Sequence, residues 1–230
     1  MKKMNEKETF ELIKKSILSI RERKTKPIRI AINGIEGTGK TVFADKLTEF
    51  LIEKGIKAIQ VSIDGFHFNK AHRYKQGRDS AKGYYEDSYD EVGFIEKVLL
   101  PSQEENPKIT IASHDLNTDK YLNLEPVEIT NNTIIITDGA YLFKPNYREH
   151  WDLKIYLKTD FQTALVRGMN RDAELLGGEK AAREKFDNRY HKASKIYIHE
   201  NKPEEQADII IDNTEFEDLK VVKNTFIQIS

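Results

Sequence analysis

One segment constrains this chain more than any other, because an apolar run, a glycine-rich turn and an amphipathic run follow one another directly. The turn reads Gly34-Ile35-Glu36-Gly37-Thr38-Gly39-Lys40-Thr41 and matches G-x-x-x-x-G-K-[ST] at every fixed position. Residues 28–33 before it are typical of a short apolar strand, and residues 41–51 after it carry apolar side chains at helical spacing. This order of strand, turn and helix predicts an α/β fold.

The composition of the turn suits a triphosphate. Glycines allow backbone N–H groups to converge on phosphate oxygens, and the following helix contributes the positive end of its dipole. Lys40 can reach the outer phosphates, and the Thr41 hydroxyl can ligate Mg²⁺. The predicted nucleotide contacts are Gly34, Glu36, Gly37, Thr38, Gly39, Lys40, Thr41 and Val42.

Length and charge limit the other possibilities. The 230 residues suffice for one α/β domain spanning 1–230. Lys and Arg number 37 against 38 Asp and Glu, so charge gives no reason to expect nucleic acid or a membrane as partner. The absence of cysteine excludes disulfides, thiol nucleophiles and cysteine metal sites. Without a signal peptide or a run of ~20 apolar residues, a cytoplasmic location is expected.

Two acidic residues follow predicted strands. Asp64 comes directly after residues 58–63, and Asp138 ends the continuous apolar run 133–138. Such runs suit parallel strands covered on both faces, and the carboxyl ends of those strands form the ligand-binding edge of the sheet. We therefore predict that Asp64 serves as a base or a metal ligand and that Asp138 joins Thr41 in holding Mg²⁺.

The remaining patterns complete the predicted architecture. An amphipathic helix is expected over 5–22, and a helical lid over about 160–200 that carries Arg167 and Arg171 on one face. Further strands are expected at 108–112, 153–157 and 207–212, whereas residues 213–230 fit a helix or an edge strand equally. The prediction is a three-layer α/β fold with about five mostly parallel strands and a small helical lid.

Several of these segments are similar, in the same order, to those of one family. They are the loop 34–41, Ser62 to His67, Gly83 to Asp90, Ile136 to Gly139, Arg167 to Asp172 and Gln206 to Asp212. On these residues the chain resembles the uridine kinase-like family of P-loop kinases, related to phosphoribulokinase and bacterial pantothenate kinase. The resemblance implies ATP and Mg²⁺ as cofactors and a small-molecule substrate, and it is compatible with a homo-oligomer.

The resemblance also implies roles for individual residues. Asp64 is expected to act as catalytic base on the acceptor hydroxyl, Asp87 to contact sugar hydroxyls, and the loop 113–119 to hold the nucleobase. The arginines of the lid are expected to approach the phosphates. The expected catalytic residues are Lys40, Asp64, Arg167 and Arg171, and the expected substrate contacts are Asp64, Phe66, His67, Tyr85, Asp87 and His114.

The expected reaction is ATP-dependent phosphotransfer to a hydroxyl of a small polar metabolite, with a nucleoside such as uridine or cytidine as first candidate. A non-nucleoside acceptor of the pantothenate or sugar-phosphate type is the alternative. Two further alternatives are a non-catalytic nucleotide-binding regulator and a GTPase-like switch. The switch is disfavoured because Leu157 in residues 157–160 stands where the guanine-reading N-K-x-D pattern needs an amide.

Overall fold

The computed structural model describes residues 2–215 and 218–226, and a twisted sheet runs through its centre. The strands are β1 Lys2–Met4, β2 Ile28–Asn33, β3 Ala58–Gln60, β4 Lys108–Ile109, β5 His114–Asp115, β6 Lys120–Tyr121, β7 Val127–Glu128, β8 Ile134–Gly139, β9 Leu153–Lys158, β10 Ile209–Asp212 and β11 Leu219–Asn224. Within the described ranges the main sheet has the order β1-β11-β10-β9-β2-β8-β3.

The five strands from β10 to β3 are parallel, which agrees with the predicted number of core strands. Two antiparallel strands extend this core at one edge: β11 pairs with β10, and β1 pairs with β11. The sequence did not predict β1, because three residues of the composition Lys-Lys-Met carry no alternating pattern. Strand β11 resolves the ambiguity of residues 213–230 in favour of a strand, although 216–217 and 227–230 lie outside the described residues.

Two predicted strands differ from the structure. The strand predicted at 58–63 ends at Gln60, because the Ser62 side chain accepts the backbone N–H of Asp64 and begins a 3₁₀ turn over Ile63–Phe66. The strand predicted at 108–112 does not join the main sheet. Only Lys108–Ile109 is extended, and it pairs with β7 in a separate two-stranded sheet. A similar small sheet, β5 with β6, forms a hairpin over residues 114–121.

Helices cover both faces of the sheet. They are α1 Glu6–Arg21, α2 Lys40–Glu53, α3 Lys70–Arg73, α4 Ala81–Asp87, α5 Glu91–Phe94, α6 Pro145–Arg148, α7 Phe161–Leu176, α8 Glu179–Lys185, α9 His191–Asn201 and α10 Pro203–Gln206. π-Helical turns at Ile95–Leu99 and Phe186–Tyr190 extend α5 and join α8 to α9, and Pro101–Gln103 is a 3₁₀ turn.

Opposite faces of each parallel strand enter different cores. Ile30 and Ile32 of β2 pack with Phe10 of α1 and Phe43 of α2, whereas Ala31 faces a second core rich in aromatic side chains. Every residue of β2 is buried, as expected for a strand covered on both sides. The predicted three-layer arrangement is therefore confirmed.

Polar side chains cap the two longest of the described helices. Helix α1 matches the prediction over 5–22: the Asn5 side chain caps it, and the Glu8 carboxylate accepts the backbone N–H of Asn5. Helix α7 begins after Asp160, whose carboxylate accepts the backbone N–H of Thr163 at 2.8 Å. Among the described residues, no helix is long and apolar enough to cross a bilayer.

Candidate active site

A cleft of about 590 Å³ lies at the carboxyl ends of β2 and β8. It is lined by the glycine-rich loop after β2, by Asp64 in the turn after β3, by residues 138–140 at the end of β8, and by the middle of α7. The parallel register places Ile32 beside Asp138 and Asn33 beside Gly139, so the loop and the predicted metal ligand emerge at the same edge. A groove of about 540 Å³ runs along the β3 edge, but its lining is largely aliphatic and includes no catalytic candidate.

The glycine-rich loop is held in a conformation that requires glycine. Gly37 and Gly39 have φ angles of 86° and 93°, in the left-handed region. A Cβ on Gly37 would lie 2.0 Å from the carbonyl oxygen of Ala164, so the loop rests directly on the first turn of α7. Asn213 adds a hydrogen bond from its side-chain amide to the Thr38 carbonyl at 2.8 Å. The N–H groups of the first turn of α2 have no acceptor within the helix and can therefore bind an anion.

Lys40 lies folded over this loop. Its Nζ donates to the Ile35 carbonyl at 2.9 Å and lies 3.8 Å from Oε2 of Glu36. The side chain is almost fully buried, so it contributes a fixed positive charge to the floor of the cleft. Its position fits the predicted contact with the outer phosphates.

The two predicted metal ligands are brought together. The Thr41 hydroxyl donates to Oδ2 of Asp138 at 2.8 Å, and Asp138 is almost completely buried. Gln60 donates to Oδ1 at 3.0 Å, and Ser62 donates to Oδ2 at 3.3 Å. A hydroxyl and a carboxylate are oxygen donors of the kind that Mg²⁺ prefers, so the residues fit this ion. The described residues contain no cluster of three His, Cys, Asp or Glu side chains able to hold a metal, so phosphate oxygens and water would complete the shell.

Asp64 occupies the turn after β3 and faces the cleft. Its Oδ1 accepts the Tyr89 hydroxyl at 3.2 Å. Although 55% of its side-chain surface is accessible from the cleft, desolvation by the surrounding walls raises its pKa to about 6, with the charges of Glu36 and Asp138 adding to the effect. A carboxyl that faces the cleft with a pKa of about 6 has the acid–base properties that a general base requires.

A short pairing of two segments brings Tyr89 to Asp64. The Phe68 N–H donates to the Ser88 carbonyl at 3.0 Å, and the Asp90 N–H donates to the Phe66 carbonyl at 2.8 Å. His67 supports the same turn: its Nδ1 donates to the Asp64 carbonyl at 2.9 Å, and its ring lies 4.3 Å from that of Tyr89. Burial lowers the pKa of His67 to about 4, so this imidazole is neutral at pH 7.

Two of the predicted substrate contacts lie in the core instead of the cleft. Phe66 is fully buried and packs edge-on against Phe94 at 5.0 Å. The Tyr85 hydroxyl accepts the side-chain amide of Asn201 at 2.8 Å, and its ring lies 4.2 Å from the Lys144 ammonium. Neither residue lines the cleft.

Asp87 and His114 are buried and do not line the cleft, and both contact other loop residues. Asp87 accepts the Gln76 side-chain amide at 2.8 Å and pairs with Lys75 at 2.9 Å. His114 places its Nε2 3.4 Å from Oδ1 of Asp119, within the β5–β6 hairpin. Because Asp119 also accepts the backbone N–H of residue 70, this hairpin is fixed against α3. The predicted acceptor loops, 66–90 and 113–119, therefore contact each other.

The two lid arginines make different contacts. Arg167 donates to the backbone carbonyls of Asn213 at 2.7 Å and Thr214 at 2.8 Å. Arg171 forms a bidentate pair with Asp172, at 2.7 and 2.9 Å, and more than half of its side chain is exposed. Both line the cleft. Arg171 is thus placed for contact with a bound phosphate, while Arg167 ties α7 to the loop after β10.

Four side chains of the site were not identified from the sequence. Gln60 and Ser62 hold Asp138, Tyr89 holds Asp64, and the Tyr84 hydroxyl donates to Oε1 of Glu36 at 3.0 Å. A signal for Tyr84 existed, since adjacent tyrosines on a helix face different directions and one of the pair must leave the core.

Comparisons with known proteins agree with this geometry. The model of the phosphoribulokinase/uridine kinase family matches residues 29–220. A uridine kinase from Leuconostoc citreum is 28% identical over 153 residues, which are 66% of this chain and 71% of that protein. A uridine kinase from Alkaliphilus metalliredigens is 27% identical over 154 residues, with the same two shares of 66% and 71%.

Solved structures share the fold. A protein described as a possible uridine kinase from Bacillus stearothermophilus has a TM-score of 0.69 at 23% identity, covering 87% of this chain and 96% of that one. D-Glycerate 3-kinase from Cryptococcus neoformans has a TM-score of 0.58 at 11% identity, covering 83% and 89%. The family match extends from β2 into β11 and includes the glycine-rich loop, Asp64, Asp138, Arg167 and Arg171. This chain therefore belongs to the phosphoribulokinase/uridine kinase family of kinases.

Proposed function

We propose that this kinase transfers the γ-phosphoryl group of ATP to a hydroxyl of a small polar metabolite, with a nucleoside as the first candidate acceptor. The observation that carries the proposal is the placement of three groups in one cleft: Lys40 on the glycine-rich loop, the Thr41–Asp138 pair, and Asp64. The uridine kinases among the relatives support a nucleoside as acceptor.

Different residues would carry the different steps of an in-line phosphoryl transfer. Lys40 and the N–H groups of the loop would hold the β- and γ-phosphates, and Thr41 with Asp138 would hold Mg²⁺. When bound, Mg²⁺ neutralises charge on the phosphate oxygens. Asp64 accepts the proton of the acceptor hydroxyl as its oxygen bonds to the γ-phosphorus and the bond to the leaving ADP breaks. Arg171 would neutralise charge on the transferring group.

One contact argues against the GTPase-like alternative. Asp160 occupies the position of the guanine-reading acid, but its carboxylate caps α7 by accepting both the N–H and the hydroxyl of Thr163, at 2.8 and 2.6 Å. Asp160 could bind a guanine ring only by giving up its cap at the start of α7. Leu157 is fully buried in β9 and carries no amide for a guanine ring.

The test is an ADP-release screen with purified protein, MgATP and a panel of nucleosides, pantothenate, sugar phosphates and vitamins. We expect acceptor-dependent ADP release, with uridine or cytidine among the active members, and its loss in Asp64→Asn. If only a non-nucleoside supports ADP release, that compound becomes the proposed acceptor in place of a nucleoside. An unchanged rate in Asp64→Asn would remove Asp64 from the role of base.

A further inference from the structure

Glu36 is an acidic side chain inside the loop that is expected to surround phosphates, and phosphate binding does not explain it. We propose that Glu36 is a specificity-determining residue that faces the phosphate acceptor and restricts it to hydroxyl compounds that are uncharged or cationic. This inference rests on the phosphotransfer function proposed above and specifies the class of acceptor.

The Glu36 carboxylate is fixed in place. Its side chain is only 15% exposed, and its Oε1 accepts the Tyr84 hydroxyl at 3.0 Å. The Tyr84 ring is itself held by Tyr190, with ring centroids 4.8 Å apart. His191 contacts the Glu36 carbonyl at 3.2 Å, and the neighbouring Gly37 rests on α7. These contacts hold the carboxylate in the lining of the cleft.

Within the loop, the cation nearest Glu36 is only loosely paired with it. Lys40 lies 3.8 Å from the carboxylate and gives its hydrogen bond to the Ile35 carbonyl. If Lys40 turns to the phosphates, as proposed, Glu36 keeps the Tyr84 hydroxyl and loses a neighbouring charge. A buried carboxylate is costly without donors. A hydroxyl or ammonium group of the acceptor supplies such a donor at this point.

A second carboxylate reinforces the selection. Glu36 and Asp64 line the same cleft, and they are close enough for the charge of Glu36 to help raise the pKa of Asp64. A phosphorylated acceptor would bring a third negative group to this end of the cleft, where like charges repel strongly. Although burial opposes ionisation, the charges of Lys40 and Arg171 hold the pKa of Glu36 below its usual value, so this carboxylate stays ionised, and both cations are assigned above to the phosphates of ATP.

The test compares matched acceptors that differ in charge: uridine with uridine 3′-monophosphate, and glucose with glucosamine and glucose 6-phosphate. Dissociation constants are measured by calorimetry on protein loaded with Mg²⁺ and a non-hydrolysable ATP analogue, and ADP release is measured with ATP. Glu36→Gln removes the charge but keeps an oxygen for Tyr84. Glu53→Gln, an exposed position at the far end of α2, makes the same change in net charge away from the cleft.

We expect the wild type to bind an uncharged or cationic member at least about tenfold more tightly than its phosphorylated partner, a difference of about 1.4 kcal/mol. Glu36→Gln should reduce this ratio about tenfold, and Glu53→Gln should leave it unchanged. Three results would each overturn the inference: a wild-type preference for phosphorylated members, an unchanged ratio in Glu36→Gln, or no binding of any uncharged or cationic member. Charge-selective binding without ADP release would instead refute the phosphotransfer function alone.

Discussion

The titration of Asp64 gives the sharpest test of the site. Burial and two neighbouring carboxylates, Glu36 and Asp138, raise its pKa from 3.8 to about 6. Replacing Glu36 by glutamine removes one of these charges but leaves the desolvation, which is the largest cause. The pKa of Asp64 in Glu36→Gln should therefore fall below 6 and remain above 3.8.

The direct assay is a pH titration of protein carrying ¹³C-labelled aspartate carboxyls, followed by NMR without nucleotide or Mg²⁺. The Asp64 resonance is assigned by its absence from Asp64→Asn. Glu53→Gln is the control for net charge, because Glu53 is exposed at the other end of α2. A wild-type pKa near 3.8, or the same value in wild type and Glu36→Gln, would refute the electrostatic description of the cleft.

The same pKa predicts the pH dependence of the reaction. A group with a pKa of about 6 is about nine-tenths ionised at pH 7 and about one-tenth ionised at pH 5. Since a base must be ionised to accept a proton, kcat/KM for the acceptor should fall roughly tenfold between these values. Mg²⁺ beside Asp138 would move this acid limb to lower pH, and Glu36→Gln would move it in the same direction.

Four further predictions address the loop, the base, the lid and the fold. Asp64→Asn should lower kcat by about 10²- to 10⁴-fold, while calorimetry finds ATP binding nearly unchanged. Gly37→Ala should abolish ATP binding and destabilise the fold by about 1–3 kcal/mol in urea titrations, because the new Cβ would lie 2.0 Å from the Ala164 carbonyl oxygen. A stable Gly37→Ala protein that binds ATP would contradict this packing. Arg167→Gln should lower stability by about 1–2 kcal/mol, since two charged hydrogen bonds to backbone carbonyls are lost, and an unchanged melting temperature would show that they contribute nothing. The pKa of His67 is lowered to about 4, so between about pH 4 and 6.5 the folded state binds fewer protons than the unfolded state, and the melting temperature rises with pH. The raised pKa of Asp64 has the opposite effect on stability. Asp64→Asn should therefore make the rise in melting temperature steeper.

The sequence was most informative where local pattern and tertiary position coincide. The loop 34–41 carries its own signature, and Asp138 could be placed because a continuous apolar strand fixes which edge its last residue reaches. The five parallel strands followed from the same apolar runs. Strand β1 could not be predicted, because its three residues are extended only through pairing with β11.

The acceptor side was less predictable for a physical reason. Helices α3 and α4 have four and seven residues, too few for a periodic pattern to show which face is buried. Of two adjacent tyrosines, Tyr85 enters the core and Tyr84 reaches Glu36, and only the packing against α9 and the turn before it decides between them. Arg167 and Arg171 both lie on one helix, α7, as their spacing predicted, but the partners of Arg167 belong to the distant loop after β10.

The pairing of β1 with β11 has a consequence for how the chain acquires its structure during synthesis. Leu219–Asn224 is synthesised long after its partner Lys2–Met4, because most of the described chain lies between the two strands. At roughly 5–20 residues per second, the first strand waits on the order of ten seconds or more for a partner. During that interval Lys2–Met4 lacks its strand partner, while the parallel strands from β2 to β9 can already assemble around the loop. Completion of this sheet edge is thus a late event in the folding of the chain.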